Sequence, residues 1–264
     1  MQATASAGPP GGVYGGRSSQ NHPMSLRLTR GGKRLRSLFV HVDAGTCSLS
    51  PTRGYSMQLH LDSRHAVRVR ADGSFADRGR FRGQTQAGDK VDFKVAMKGR
   101  LGRTRARGTV RVFGPVQDAS GNLIDRCDSG VVRWRLRRGR VYGGATDNGD
   151  GGAVSIRLRR DGTRIKSFFI DLQFPCDDST DPLLSLNHLS VAVRRDGSFS
   201  KHGLSGIPLK IPGGSTVSGQ FSLRGRLGRR RAHGSYRAFG TVRRADGSTL
   251  HCDSGAVRWS ARRG

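Results

Sequence analysis

Cys127-Asp128-Ser129-Gly130-Val131-Val132-Arg133-Trp134-Arg135-Leu136-Arg137 returns 125 residues later as Cys252-Asp253-Ser254-Gly255-Ala256-Val257-Arg258-Trp259-Ser260-Ala261-Arg262, and reading this pair decides the fold. Val132, Trp134 and Leu136 alternate with Arg133, Arg135 and Arg137. A period of two, apolar on one side and guanidinium on the other, describes an antiparallel strand with one face on a core and one in water. Val257, Trp259 and Ala261 repeat the inward set opposite Arg258 and Arg262.

The recurrence extends outward over almost the whole chain. Val13-Tyr14-Gly15-Gly16 returns as Val141-Tyr142-Gly143-Gly144, and Ser25-Leu26-Arg27-Leu28 as Ser155-Ile156-Arg157-Leu158. Asp72-Gly73-Ser74-Phe75 returns as Asp196-Gly197-Ser198-Phe199, and Gly99-Arg100-Leu101-Gly102-Arg103 as Gly225-Arg226-Leu227-Gly228-Arg229, with all offsets between 124 and 130. Collinear matches with so little drift mean one domain duplicated in tandem. Asp-Gly at 72–73, 196–197 and 246–247 stands between β-rich runs, where a residue that accepts positive φ suits a tight hairpin. All 19 acidic residues are Asp, only seven residues are Lys and 39 are Gly, so good solvent-face helix formers are scarce. The expectation is an all-β fold of two tandem antiparallel domains, each a β-sandwich or small β-barrel of about eight strands. Residues 1–12 read as a disordered N-terminal segment, 13–140 as the first copy and 141–264 as the second. No apolar run is long enough to span a bilayer.

Four cysteines allow three pairings, and duplication favours Cys47–Cys127 and Cys176–Cys252, one bridge per copy. Buried thiols are the alternative. Zinc is disfavoured because no C-x-x-C occurs, and no metal or other cofactor is expected. Disulfides imply an oxidising compartment, hence an extracellular or cell-surface location, although Met1–Gly12 has neither the basic nor the apolar region of an intact signal peptide.

The formal charge of +28 attracts polyanions such as nucleic acid or anionic polysaccharide. Up to residue 140, 27 basic and 9 acidic residues leave +18, and the remaining 20 and 10 leave +10. Forty of the 47 basic residues are Arg, so codon usage in a GC-rich genome is a competing explanation. The sharpest functional hint is a basic hairpin in each copy. Lys98, Arg100, Arg103, Arg105 and Arg107 flank Gly102, and Arg224, Arg226, Arg229, Arg230 and Arg231 flank Gly228. Planar guanidinium forks gathered at such a turn suit phosphate, sulfate or carboxylate groups. Neither segment carries an aromatic platform for stacking bases.

Other polar groups read more simply. Asp128 and Asp253 stand before Ser-Gly, where an Asx turn explains them. Asp177, Asp178 and Asp181, with Asp147 and Asp150, lack the EF-hand spacing and read as a solvated loop. His41 corresponds to Asp171, His233 to Arg107 and His251 to Arg126, so the copies share no titratable set. No G-x-S-x-G, H-E-x-x-H or Walker A motif occurs.

Val-Tyr-Gly-Gly, a mid-copy Cys, Asp-Gly-Ser-Phe, a Gly-Arg-Leu hairpin and Cys-Asp-Ser-Gly-x-x-Arg-Trp together resemble secreted tandem β-repeat proteins of actinobacterial type, over residues 13–138 and 141–263. The resemblance implies extracellular, disulfide-containing, sandwich-like modules and no particular reaction. The functional expectation is a non-catalytic extracellular protein, structural, adhesive or glycan-binding, with a cell-envelope glycan or another anionic polymer as partner. Electrostatic polyanion binding through the Arg-rich hairpins is the alternative, and an enzyme ranks last.

Overall fold

The computed structural model describes residues 9, 11–44, 46–49, 56–61, 67–84, 89–147, 152–178, 183–210, 216–244 and 246–264. Most of the N-terminal segment expected to be disordered lies outside the described residues, as do Asp150 and Asp181.

The described residues form two curled antiparallel sheets, each a half-barrel, and no helix. The first contains β1 (Gly12–Ser18), β2 (Pro23–Leu28), β3 (Leu35–Asp43), β4 (Thr46–Cys47), β5 (Ser56–Leu61), β6 (Ser74–Gln84), β7 (Lys90–Leu101), β8 (Arg105–Gln117), β9 (Leu123–Asp128) and β10 (Val132–Arg137). The second contains β11 (Val141–Thr146), β12 (Ala153–Leu158), β13 (Arg164–Gln173), β14 (Leu183–Ala192), β15 (Ser198–Lys210), β16 (Thr216–Leu227), β17 (Arg231–Arg243), β18 (Thr249–Asp253) and β19 (Val257–Arg263). Eight strands of the first run in the order β5-β3-β2-β1-β10-β8-β7-β6, and the second repeats it as β14-β13-β12-β11-β19-β17-β16-β15. The first and last strands of each copy are therefore neighbours, and this brings β1 beside β10 and, through it, to the basic hairpin of β7 and β8.

A repeated row across four strands organises each core. Phe75, Gly99, Gly108 and Trp134 are successive cross-strand partners, and Phe199, Gly225, Gly234 and Trp259 match them. The glycines leave the volume that the two aromatic rings fill. A Cβ on Gly99 would stand 2.5 Å from Trp134 Cζ2, and one on Gly225 would overlap Trp259. Tyr14 and Tyr142 of the repeated Val-Tyr-Gly-Gly reach the turns of the hairpins that carry these glycines. Their hydroxyls donate to the carbonyls of Gly102 and Gly228 at 2.7 Å and so tie β1 and β11 to the tips of the basic hairpins.

Both expected disulfides are present. Cys47–Cys127 and Cys176–Cys252 join directly opposed residues and close loops with sequence separations of 80 and 76. On the chain-entropy account each stabilises its unit by about 4 kcal/mol.

The two units meet through equivalent surfaces. A Cβ on Gly143 would come 2.7 Å from Val13 Cγ1 and 2.8 Å from Ser25 Cβ, while one on Gly15 would overlap Val141 and stand 2.6 Å from Ser155 Oγ. Residues 128–130 apart thus exchange roles, Gly15 for Gly143, Val13 for Val141 and Ser25 for Ser155, as in an isologous dimer.

Candidate functional site

The basic hairpins lie where the sequence places them, with turns between β7 and β8 and between β16 and β17. Alternation along each strand sends their basic side chains outward, and all ten are exposed. What the register adds is the neighbour. Arg100 pairs with Arg107, Arg107 with Arg135 of β10, and Arg135 with Arg17 of β1. Four guanidiniums therefore stand in a row across four adjacent strands. Arg105 opposite Arg137 flanks this row on one side, and Lys98 and Arg133, both opposite Thr109, flank it on the other.

Like charges directly opposed in a sheet are destabilising. Here, among the described residues, Arg100, Arg103, Arg105, Arg107, Arg133, Arg135 and Arg137 make no ion pair. A cleft of about 740 Å³ lies over Arg100, Arg107 and Arg135 of the row, and Asp72 is the one carboxylate among its described lining residues. Asp72 is committed to its own turn, where Oδ1 accepts from Ser74 N at 2.9 Å and Ser74 Oγ at 2.7 Å. These two bonds, then Arg100 and Arg70, hold its carboxyl below the usual range. Through Pro9 and Ala71 the cleft adjoins a larger one of about 1110 Å³, lined by Lys33, Arg34, Arg68 and Arg70.

The second hairpin does not make the same face. The row equivalent to Arg100, Arg107, Arg135 and Arg17 is Arg226, His233, Ser260 and Ala145. Arg224 and Arg226 line a cleft of about 730 Å³ with Arg258 and Asp147, whose carboxylate caps the Arg258 amide at 2.8 Å. Arg229 and Arg230 sit at the turn, while Arg231 pairs with Arg262 and lines a different cleft, at the junction of the units. Sequence reading thus finds the first hairpin but misses Arg17, Arg133, Arg135 and Arg137. The outward alternation of β10 signals three of these, and only strand register joins them to the hairpin.

One repeated arginine behaves differently. Arg111 and Arg237 form bidentate pairs with Asp128 and Asp253, whose Oδ1 atoms also accept the amides of Gly130 and Gly255 at 2.8 Å. The expected Asx turns are therefore present, with an ion pair on each. Asp178 pairs with Arg244 and Asp147 caps the Arg258 amide, so these two of the carboxylates considered for calcium are engaged by the chain itself, while Asp177 is exposed.

No family model, curated protein or solved structure matches the chain.

A titratable cluster is buried where the units meet. His41 of β3 and Asp171 of β13 hold equivalent positions in the two copies and face each other, Nδ1 to Oδ1 at 3.4 Å. Asp43 joins His41 Nε2 at 3.3 Å and His22 Nε2 at 2.6 Å, and the two imidazoles stack at 3.8 Å with 12° between their planes. Burial alone depresses the His41 pKa. The Asp171 charge and hydrogen bond, joined by those of Asp43, outweigh it and raise the pKa to about 9. Two near-parallel rings cannot both aim a lone pair at one ion, because an ion between them would lie well out of each plane. The cluster is an ion-paired lock between the units.

The second core contains a further histidine. His188 Nε2 meets Tyr236 Oη at 2.8 Å, and burial followed by the Lys201 charge lowers the His188 pKa to about 4.

Proposed function

We propose that this protein is a non-catalytic extracellular module that binds an anionic polymer along the outward arginine row of its first unit. The row Arg17–Arg135–Arg107–Arg100 carries this reading. It is exposed and makes no ion pair among the described residues, with Asp72 beside Arg100 as its one neighbouring carboxylate there, yet the second unit builds the same backbone with Ala145, Ser260 and His233 at three of the four positions. The fold therefore does not require the charge, and uniform codon bias would not confine it to one unit.

Strands about 4.8 Å apart space the guanidiniums evenly over roughly 14 Å. This favours a linear chain with regularly repeated charge over a single ion. The absence of aromatics in the row favours contact with backbone charge over stacking of bases. Two disulfides support an oxidising location, as does the resemblance to secreted β-repeat proteins.

Salt titration tests the proposal. A sulfated polysaccharide and an oligonucleotide of equal charge should both bind with affinity falling log-linearly as salt rises. The double variant Arg107→Gln/Arg135→Gln should flatten that slope by about 2 for the oligonucleotide. Salt-independent binding, or a slope unchanged in the variant, would overturn it.

A further inference from the structure

Arg27 of β2 lies half-buried at the junction and has no ion-pair partner among the described residues. A cleft of about 420 Å³ opens beside it between the two units, lined by Arg27 from the first and by Arg231, Arg262 and His233 from the second. Arg231 and Arg262 are direct cross-strand partners, so like charges are opposed here too. Among the described residues no carboxylate lines the cleft. Burial, then the charges of Arg262, Arg36 and Arg231, weaken the Arg27 guanidinium's hold on its proton. Arginine stays charged in proteins regardless. Bringing the units together thus concentrates positive potential in a partly enclosed space, with no described carboxylate lining it.

We propose that this junction cleft is a second anion site, taking one compact oxyanion of phosphate or sulfate type, free or as a group on a larger molecule. Planar forks supplied from two units suit the several oxygens of such an ion. The cleft over the outward row is about 740 Å³ and adjoins a larger one, whereas the junction cleft is about 420 Å³, so it suits a single group rather than a chain. None of its arginines belongs to the row. An ion seated there also relieves the repulsion between Arg27 and the second unit, so binding and the joining of the units favour each other.

Calorimetry on the full chain at constant ionic strength tests this, with inorganic phosphate, inorganic sulfate and a sulfated monosaccharide titrated separately. At least one probe should saturate in the wild type. Saturation by the inorganic ions assigns a free ion, and saturation by the monosaccharide alone assigns a sugar-borne group. Arg27→Gln and Arg262→Gln should each weaken that binding at least tenfold, and Arg107→Gln/Arg135→Gln should leave it unchanged. Arg262 is exposed, so its variant serves if loss of Arg27 impairs folding. Absence of saturable binding by all three probes, binding that survives both single variants, or binding lost only in the double variant overturns the proposal. Only that last outcome would also bear on the outward row.

Discussion

Two rows, one residue apart in register, share three strands in each unit, and they have diverged very differently. The inward row is Phe75–Gly99–Gly108–Trp134 in one unit and Phe199–Gly225–Gly234–Trp259 in the other, identical in residue type. The outward row is Arg100–Arg107–Arg135–Arg17 in one and Arg226–His233–Ser260–Ala145 in the other. Close packing explains the first: two glycines and two rings fill a fixed volume, so no member changes alone. The second meets solvent, and packing places no such demand on it. Arginines that serve the fold are recognisable because they recur and are paired, as Arg111 with Asp128 and Arg237 with Asp253. The arginines of the outward row neither recur as a set nor pair.

Breaking the lock between the units should produce the largest effect. Asp171→Asn leaves the His41 imidazole without its main counter-charge, and losing one partner of a buried pair costs about 3–5 kcal/mol. The wild type should also lose stability in alkali. His41 has a folded pKa of about 9, above its ordinary value, so its contribution is complete below about pH 6.5 and disappears as pH rises through 9. His188 has the opposite sign. With a folded pKa of about 4, its contribution is complete above about pH 6.5 and is lost as pH falls toward 4. Denaturation curves across pH should show an alkaline limb that Asp171→Asn removes and an acid limb that it leaves in place.

Next in size, Gly99→Ala and Gly225→Ala should each destabilise by about 1–3 kcal/mol through overpacking against the indole, and by similar amounts if the inward rows are equivalent. A large difference between the two in urea denaturation would break that half of the comparison. Building the missing charge into the second unit with Ala145→Arg/His233→Arg/Ser260→Arg should sharpen the other half, tightening polyanion binding at low salt by roughly tenfold and steepening its salt dependence. The smallest effect belongs to Tyr14→Phe. It removes the hydroxyl that fixes the Gly102 carbonyl at the tip of the first hairpin, costs about 1 kcal/mol, and shows in thermal melting.

Much of this was legible in the sequence because it depends on local spacing and on duplication. Alternation in Val132–Arg137 defines a half-buried strand, Asp-Gly defines turns, and equivalent cysteines in two copies select one bridge per copy. The basic hairpin is legible for the same reason, since β7 and β8 are consecutive. Arg17 is not, because nothing local says that β1 closes onto β10. His41 and Asp171 show the same limit. Aligning the copies makes them equivalent, and dissimilar residues at equivalent positions look like divergence. Only the near-twofold meeting of the units turns that equivalence into a contact.

Mapping the footprint of a bound polyanion residue by residue, by amide chemical-shift perturbation or hydrogen exchange on the intact chain at low salt, tests the central claim most directly. Perturbation should concentrate on β1, β7, β8 and β10 and be weak at the matching positions of β11, β16, β17 and β19. Equal perturbation of both units would mean that the arginine row is a by-product of composition, and would contradict the account.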